Sequence, residues 1–174
     1  DSEGEVKAPI MLTATQIEQY HKDGYIVPDF RLSNTVLELI DAKVSALLNE
    51  HPEYRDNCSA LLREDIAFSE YCYSPGILDM VAQLIGPDIA LWNMSLFGKP
   101  AYDGKATPWH QDGEYWPIRP LATCSVWIAI DDSTIENGCL QVIPGSHSSR
   151  FLARHRHNPR DDLTLHEELV GSEF

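Results

Sequence analysis

Apolar residues recur at helical spacing in the first half of the chain and in short unbroken runs in the second. Val36, Leu37, Ile40, Val44, Leu47 and Leu48 lie on one helical face behind a capping Ser33, which predicts a helix whose stripe is core. Thr13-Ala-Thr-Gln16 has the spacing of a capping box and predicts a shorter helix to about Lys22, stopped by Gly24. Ile77, Leu78, Val81, Leu84 and Ile85 predict a third helix, opened by Ser74-Pro75 and closed by Gly86-Pro87. Tyr25 to Val27 reads as a brief strand, and the pattern between Glu50 and Tyr73 is mixed. Residues 1–12 read as a flexible tail and 13–174 as the folded part.

Beyond Pro87 the period changes. Ile89 to Phe97, Thr123 to Ile130 and Cys139 to Ile143 are runs of β-branched, aromatic and aliphatic residues, which predict strands. The stretches 99–104 and 131–138 separate them as turns, and Asn137-Gly138 reads as a tight turn. Helices first and strands second give an α+β class with an antiparallel barrel or sandwich at its centre. From Pro144 to Phe174 the chain is polar, with a basic cluster (Arg150, Arg154, Arg156, Arg160) before an acidic end, and no strand is predicted.

The composition narrows the choice of function. Of 174 residues, 43% are apolar and 23% charged, as in a folded globular domain. Thirteen Lys plus Arg against 27 Asp plus Glu leave a net charge of −14, which repels phosphate backbones and anionic bilayers, so neither nucleic acid nor membrane is an expected partner. The cysteines Cys58, Cys72, Cys124 and Cys139 have neither metal-site spacing nor disulfide-scaffold density, and they read as free thiols. The first residues lack the basic start and apolar run of a signal peptide, and a cytoplasmic location is expected.

Trp109-His110-Gln111-Asp112-Gly113 is the one constellation with a sharp chemical meaning. A His and an Asp two residues apart on an extended segment project to the same side, where an imidazole nitrogen and a carboxylate oxygen can share one metal ion. Such a pair supplies two members of a 2-His-1-carboxylate face, whose open positions suit Fe(II) to oxygen chemistry. Taken alone, the triplet fits a solvated or hydrogen-bonding loop equally well.

The run HQDGEYWPIRP, the run VWIAIDDSTIENGCLQVIPGSHSS and the opening LTATQIEQYHKDGYIVPDF together resemble the phytanoyl-CoA dioxygenase family of Fe(II)- and 2-oxoglutarate-dependent oxygenases, over roughly residues 12 to 150. The resemblance implies a double-stranded β-helix, a cupin-like jelly-roll barrel with the amino-terminal helices packed outside. It implies His110 and Asp112 as iron ligands, with Fe(II), 2-oxoglutarate and O2 as cofactor and cosubstrates. Gln111, Met94 and Trp127 match positions that line the 2-oxoglutarate pocket in the family, while Met94 and Trp127 suit plain core packing as well. For Trp127 the two-residue period puts Ser125, Trp127 and Ala129 on one face, expected to point into the barrel. The implied reaction hydroxylates a small molecule and releases succinate and CO2. Related halogenases carry Gly or Ala at the carboxylate position, so Asp112 favours hydroxylation.

The family's third ligand, a distal His, and the Arg that pairs with 2-oxoglutarate follow later strands, so the third His is expected beyond residue 174 and the chain is expected to hold only part of the barrel. His147, in the Pro144-Gly145-Ser146-His147 loop, reads as a hydrogen-bonded loop residue, and His155, His157 and His166 as solvated. Glu114, Tyr115, Trp116 and Arg119 follow the ligands on what would be the substrate side. A non-catalytic metal- or ligand-binding barrel and a metal-dependent cupin isomerase are the alternatives, and the isomerase would consume no 2-oxoglutarate.

Overall fold

The computed structural model describes residues 11–120, 122–149 and 151–171; residues 1–10 of the expected tail and Arg150 of the basic cluster lie outside the described residues. Helix α1 (Ala14–Asp23) starts where its capping box places it: Thr13 accepts from the Gln16 amide, and Gln16 returns the bond to the Thr13 amide. Just before it, Leu12 is buried, and its amide and carbonyl both bond the Gln83 carboxamide (2.7 and 3.1 Å), which fastens the start of α1 to the third long helix. Helix α2 (Asn34–Glu50) is capped by Ser33 and buries Ile40 and Leu47. The mixed stretch resolves into short pieces, strand β1 (Asn57–Cys58), helix α3 (Leu61–Glu64) and helix α4 (Ser69–Cys72), before helix α5 (Pro75–Ile85) ends at Gly86.

The principal core lies among these helices. Leu47, Cys58, Leu61 and Phe68 are buried together, with Val44, Tyr54, Leu62, Tyr71, Met94 and Leu96 packed around them. Lys43 lies 5.1 Å from the centroid of the Phe68 ring and pairs with Asp65, whose other carboxylate oxygen accepts from the Ala67 amide. The Lys43 ammonium holds the Asp65 carboxyl below its usual range, and the Ala67 amide adds to the effect.

Helix α1 is fastened to the far end of the sequence. Gly24, at φ +85°, ends it in the left-handed region, and the Gly145 amide donates to the Asp23 carbonyl (2.8 Å). The His147 Nε2–H donates to the His21 carbonyl (3.0 Å), as a hydrogen-bonded loop residue should. A Cβ at Gly24 would sit 2.5 Å from His147 Nδ1, so Gly24→Ala meets both a disfavoured backbone and a collision. The expected loss is about 1–3 kcal/mol of unfolding free energy by urea titration. Because part of it is steric, His147→Ala in the same chain should recover some of that loss.

The strand expectations hold only in part. β2 (Leu96–Phe97) pairs antiparallel with β1, Asn57 opposite Phe97 and Cys58 opposite Leu96. Tyr25 to Val27, most of Ile89 to Phe97, Thr123 to Ile130 and Cys139 to Ile143 form no ladder, and no closed barrel forms among the described residues. A ladder needs a neighbour for its N–H and C=O groups, and among the described residues these runs find none, while Trp92, Val126, Trp127, Leu140 and Val142 stand exposed. The Asn137-Gly138 turn does form: Gly138 has φ +83°, and Asn137 bonds the Thr134 amide and the Asp132 carbonyl (2.9 and 2.5 Å).

The region after Pro144 departs from expectation. β3 (His155–His157) and β4 (Glu167–Leu169) make an antiparallel hairpin with Arg156 opposite Glu168 and His157 opposite Glu167. Arg156 and Asn158 share the Glu168 carboxylate, with bonds of 2.7 and 2.6 Å, and the His157 ring lies 3.3 Å from the Glu167 carboxylate. Opposite charges across the strands do the work that alternating apolar residues do elsewhere, which hides the strands from a hydrophobic reading. The hairpin lies against residues 106–115: Leu163 is buried, Thr164 donates to the Ala106 carbonyl (3.0 Å), and Leu169 donates to the Trp109 carbonyl (2.8 Å).

Candidate metal centre

Gln111 has extended dihedrals, φ −116° and ψ 128°, so its two neighbours project to one side, and a short turn from Asp112 to Glu114 follows. His110 Nε2 and Asp112 Oδ1 come within 3.3 Å of each other. Two donors at ~2.1 Å from one metal ion and at right angles to each other stand roughly 3 Å apart, so the pair has the bite of adjacent ligands. The other imidazole nitrogen is committed. Nδ1 lies 2.8 Å from the Pro108 carbonyl, which can only accept, so Nδ1 carries a proton and Nε2 is the nitrogen turned to Asp112, where it can donate to the carboxylate or, deprotonated, offer its lone pair to a metal.

The surroundings tune both groups. Burial pushes the His110 imidazole down, but the Asp112 carboxylate and the Pro108 carbonyl outweigh it, and the net displacement is upward. The His110 hydrogen bond holds the Asp112 carboxyl below its usual range against the cost of burial, and the Ser125 hydroxyl, 3.0 Å from Oδ2, adds to this. The result is a carboxylate beside an imidazole nitrogen that can exchange its proton for a cation, a borderline donor set that suits a divalent transition ion. Tyr115 stands edge-on to the His110 ring, with centroids 5.7 Å apart. Among the described residues no third His, Cys, Asp or Glu joins the pair in a ligand cluster.

The other predicted site residues fare differently. Gln111 is central, and its Oε1 accepts from the Ala153 amide (2.7 Å), which ties its side chain to neighbouring backbone. Met94 belongs to the helical core, where its sulfur accepts from the Cys72 thiol (3.7 Å), and the core-packing reading is the one the structure supports. Trp127 is 52% exposed, not enclosed in a barrel, because the strands that would wall it in are not formed among the described residues. Ser125, two residues earlier, does reach Asp112. Glu114 and Tyr115 lie at the site, whereas Arg119 turns back to the carbonyls of Trp116 and Ile118.

His155 was missed by the sequence reading. Its side chain is fully buried, and its Nε2 accepts from the Gln111 amide (3.0 Å) while its Nδ1–H donates to the Ala153 carbonyl (2.9 Å). Only its place in a polar stretch spoke for solvation, and no local signal marks its burial.

Comparison with known proteins decides the family. The family model described as Phytanoyl-CoA dioxygenase (PhyH) matches residues 2–168. The chain belongs to the phytanoyl-CoA dioxygenase family. Its similarity to the Caenorhabditis elegans protein named "Probable phytanoyl-CoA dioxygenase" is 32% identity over 171 residues, covering 82% of this chain and 55% of that protein. The human protein named "Phytanoyl-CoA dioxygenase, peroxisomal" is 41% identical over 90 residues, 49% of this chain and 26% of its own length. A zebrafish (Danio rerio) protein named "Phytanoyl-CoA dioxygenase domain-containing protein 1" is 34% identical over 109 residues, 61% of this chain and 36% of its own. The chain thus spans about half the length of the first of these relatives and less of the other two. Among the described residues of this family member, no helix is long and apolar enough to cross a membrane.

Proposed function

We propose that this chain carries the iron-binding turn of an Fe(II)- and 2-oxoglutarate-dependent dioxygenase that hydroxylates a small molecule, within a jelly-roll of which residues 89–143 are the first part. The observation that carries the reading is the His110 Nε2 to Asp112 Oδ1 approach of 3.3 Å in a chain of this family, with the imidazole Nδ1 already committed to the Pro108 carbonyl. His110 and Asp112 would hold the metal. Bound there, Fe(II) with 2-oxoglutarate would supply the oxidising power for hydroxylation, with succinate and CO2 as coproducts. The chain's own part is placement: the Pro108 carbonyl orients His110 and the Ser125 hydroxyl orients Asp112, while Trp127, two residues along the chain from Ser125, is the residue proposed to border the cosubstrate.

The test is succinate release from 2-oxoglutarate by the purified protein with Fe(II), across a substrate panel that includes the compound in the relatives' names. Release that depends on iron and on one panel member is expected. A substrate converted without 2-oxoglutarate consumption would instead establish the isomerase alternative, and metal uptake without any turnover the binding barrel.

A further inference from the structure

The backbone between the two proposed ligands is held from outside the ligand loop. Gln111 is the middle residue of His110-Gln111-Asp112, and its amide bonds His155 Nε2 (3.0 Å) while its carboxamide oxygen takes the Ala153 amide (2.7 Å). His155 itself is fixed through Nδ1 to the Ala153 carbonyl (2.9 Å), with the Glu114 carboxylate 3.6 Å from the same nitrogen. A second arm lies four residues further along: the Tyr115 hydroxyl donates to the Glu167 carbonyl (2.9 Å) and accepts from the Glu167 amide (3.1 Å). Trp109, on the other flank, accepts from the Leu169 amide (2.8 Å).

We propose that His155 is a positioning residue for the metal site: from within the 153–170 hairpin it fixes the Gln111 peptide and thereby the mutual geometry of His110 and Asp112. The inference rests on the reading of those two residues as metal ligands. The chemistry requires an acceptor at the ε position, because the Gln111 N–H can only donate, and an apolar side chain of similar bulk would leave that partly buried amide without its partner. In an extended segment a turn of the Gln111 peptide swings the two flanking side chains apart, so the amide bond controls the bite. Groups that orient metal ligands without touching the metal commonly affect affinity by roughly 10–100-fold.

The experiment compares the unaltered chain with His155→Leu and His155→Gln, using Co(II) as the probe. Leucine removes the acceptor, whereas the Gln Oε1 can reach the Gln111 amide. His155→Leu should weaken Co(II) binding by at least about tenfold and speed hydrogen exchange at the Gln111 amide by a similar factor, with exchange in α2 and α5 unchanged. His155→Gln should bring both back to within about threefold of the unaltered chain. In the unaltered chain, imidazole nitrogen NMR shifts should show His155 protonated on Nδ1 and bare on Nε2, a readout that does not depend on any variant folding. The positioning role is overturned if His155→Leu binds Co(II) as the unaltered chain does, if glutamine fails to restore what leucine loses, or if the tautomer is reversed. Failure of the metal reading looks different: the unaltered chain then takes up no Co(II) that His110→Ala abolishes.

Discussion

Asp112→Ala, and separately His110→Ala, should lose metal binding by more than the roughly 10–100-fold that removal of an orienting partner costs, while the melting temperature stays nearly constant. Each removes one of the two donor atoms that stand 3.3 Å apart, and a lone imidazole or lone carboxylate has no chelate to offer. The fold should tolerate the loss because neither side chain belongs to the core: His110 keeps a fifth of its side chain exposed and Asp112 about half. The half-exposed Asp112 should move stability by about 0.5 kcal/mol or less and the more buried His110 by about 1 kcal/mol, well short of a core truncation. Co(II) titration alongside a melting curve separates the two effects. Unchanged binding in either variant would remove that residue from the ligand set.

Phe68→Ala should produce the largest loss of stability in the molecule. The ring is 1% exposed at the centre of the Leu47, Cys58 and Leu61 cluster, and its truncation removes apolar burial and leaves a cavity, worth about 3–5 kcal/mol together. Whole domains are stable by only about 5–15 kcal/mol, so the variant should unfold at much lower urea. Lys43 loses the ring face it lies over as well. Phe68→Leu keeps most of the volume and should cost less than half as much. Equal losses in the two variants would show that ring shape, not buried volume, governs this core.

The helices were legible because their signals are local. Thr13 with Gln16, Ser33, Ser74-Pro75 and the glycines Gly24 and Gly86 set the helix ends within a few residues of each other, whatever the rest of the chain does. The His110–Asp112 approach was legible for the same reason, since one extended residue between them suffices. Met94 was ambiguous because an apolar side chain after a helix suits a pocket wall and a core equally, and only the position of Cys72 and Leu61 settles it. The hairpin and His155 were not legible at all. Arg156 facing Glu168 writes a strand in charges, and the amide that His155 accepts from lies 44 positions away.

The attachment of α1 to the Gly145–His147 loop bears on the order in which the molecule assembles. The His21 to His147 bond spans 126 residues of sequence, and none of the side chains within α1 is buried. The capping box can form the helix early, on the timescale of local structure, and Leu12 can reach Gln83 of α5, but the contact with the Gly145–His147 loop must wait until the intervening chain is ordered. Loop closure grows only logarithmically, about 0.6 kcal/mol per doubling of length, so distance delays this contact more than it weakens it. Contacts made after the rate-limiting step act mainly on the reverse reaction. Weakening the attachment at Gly145 and His147 is therefore expected to speed unfolding more than it slows folding, which rests with the α2–α5 core.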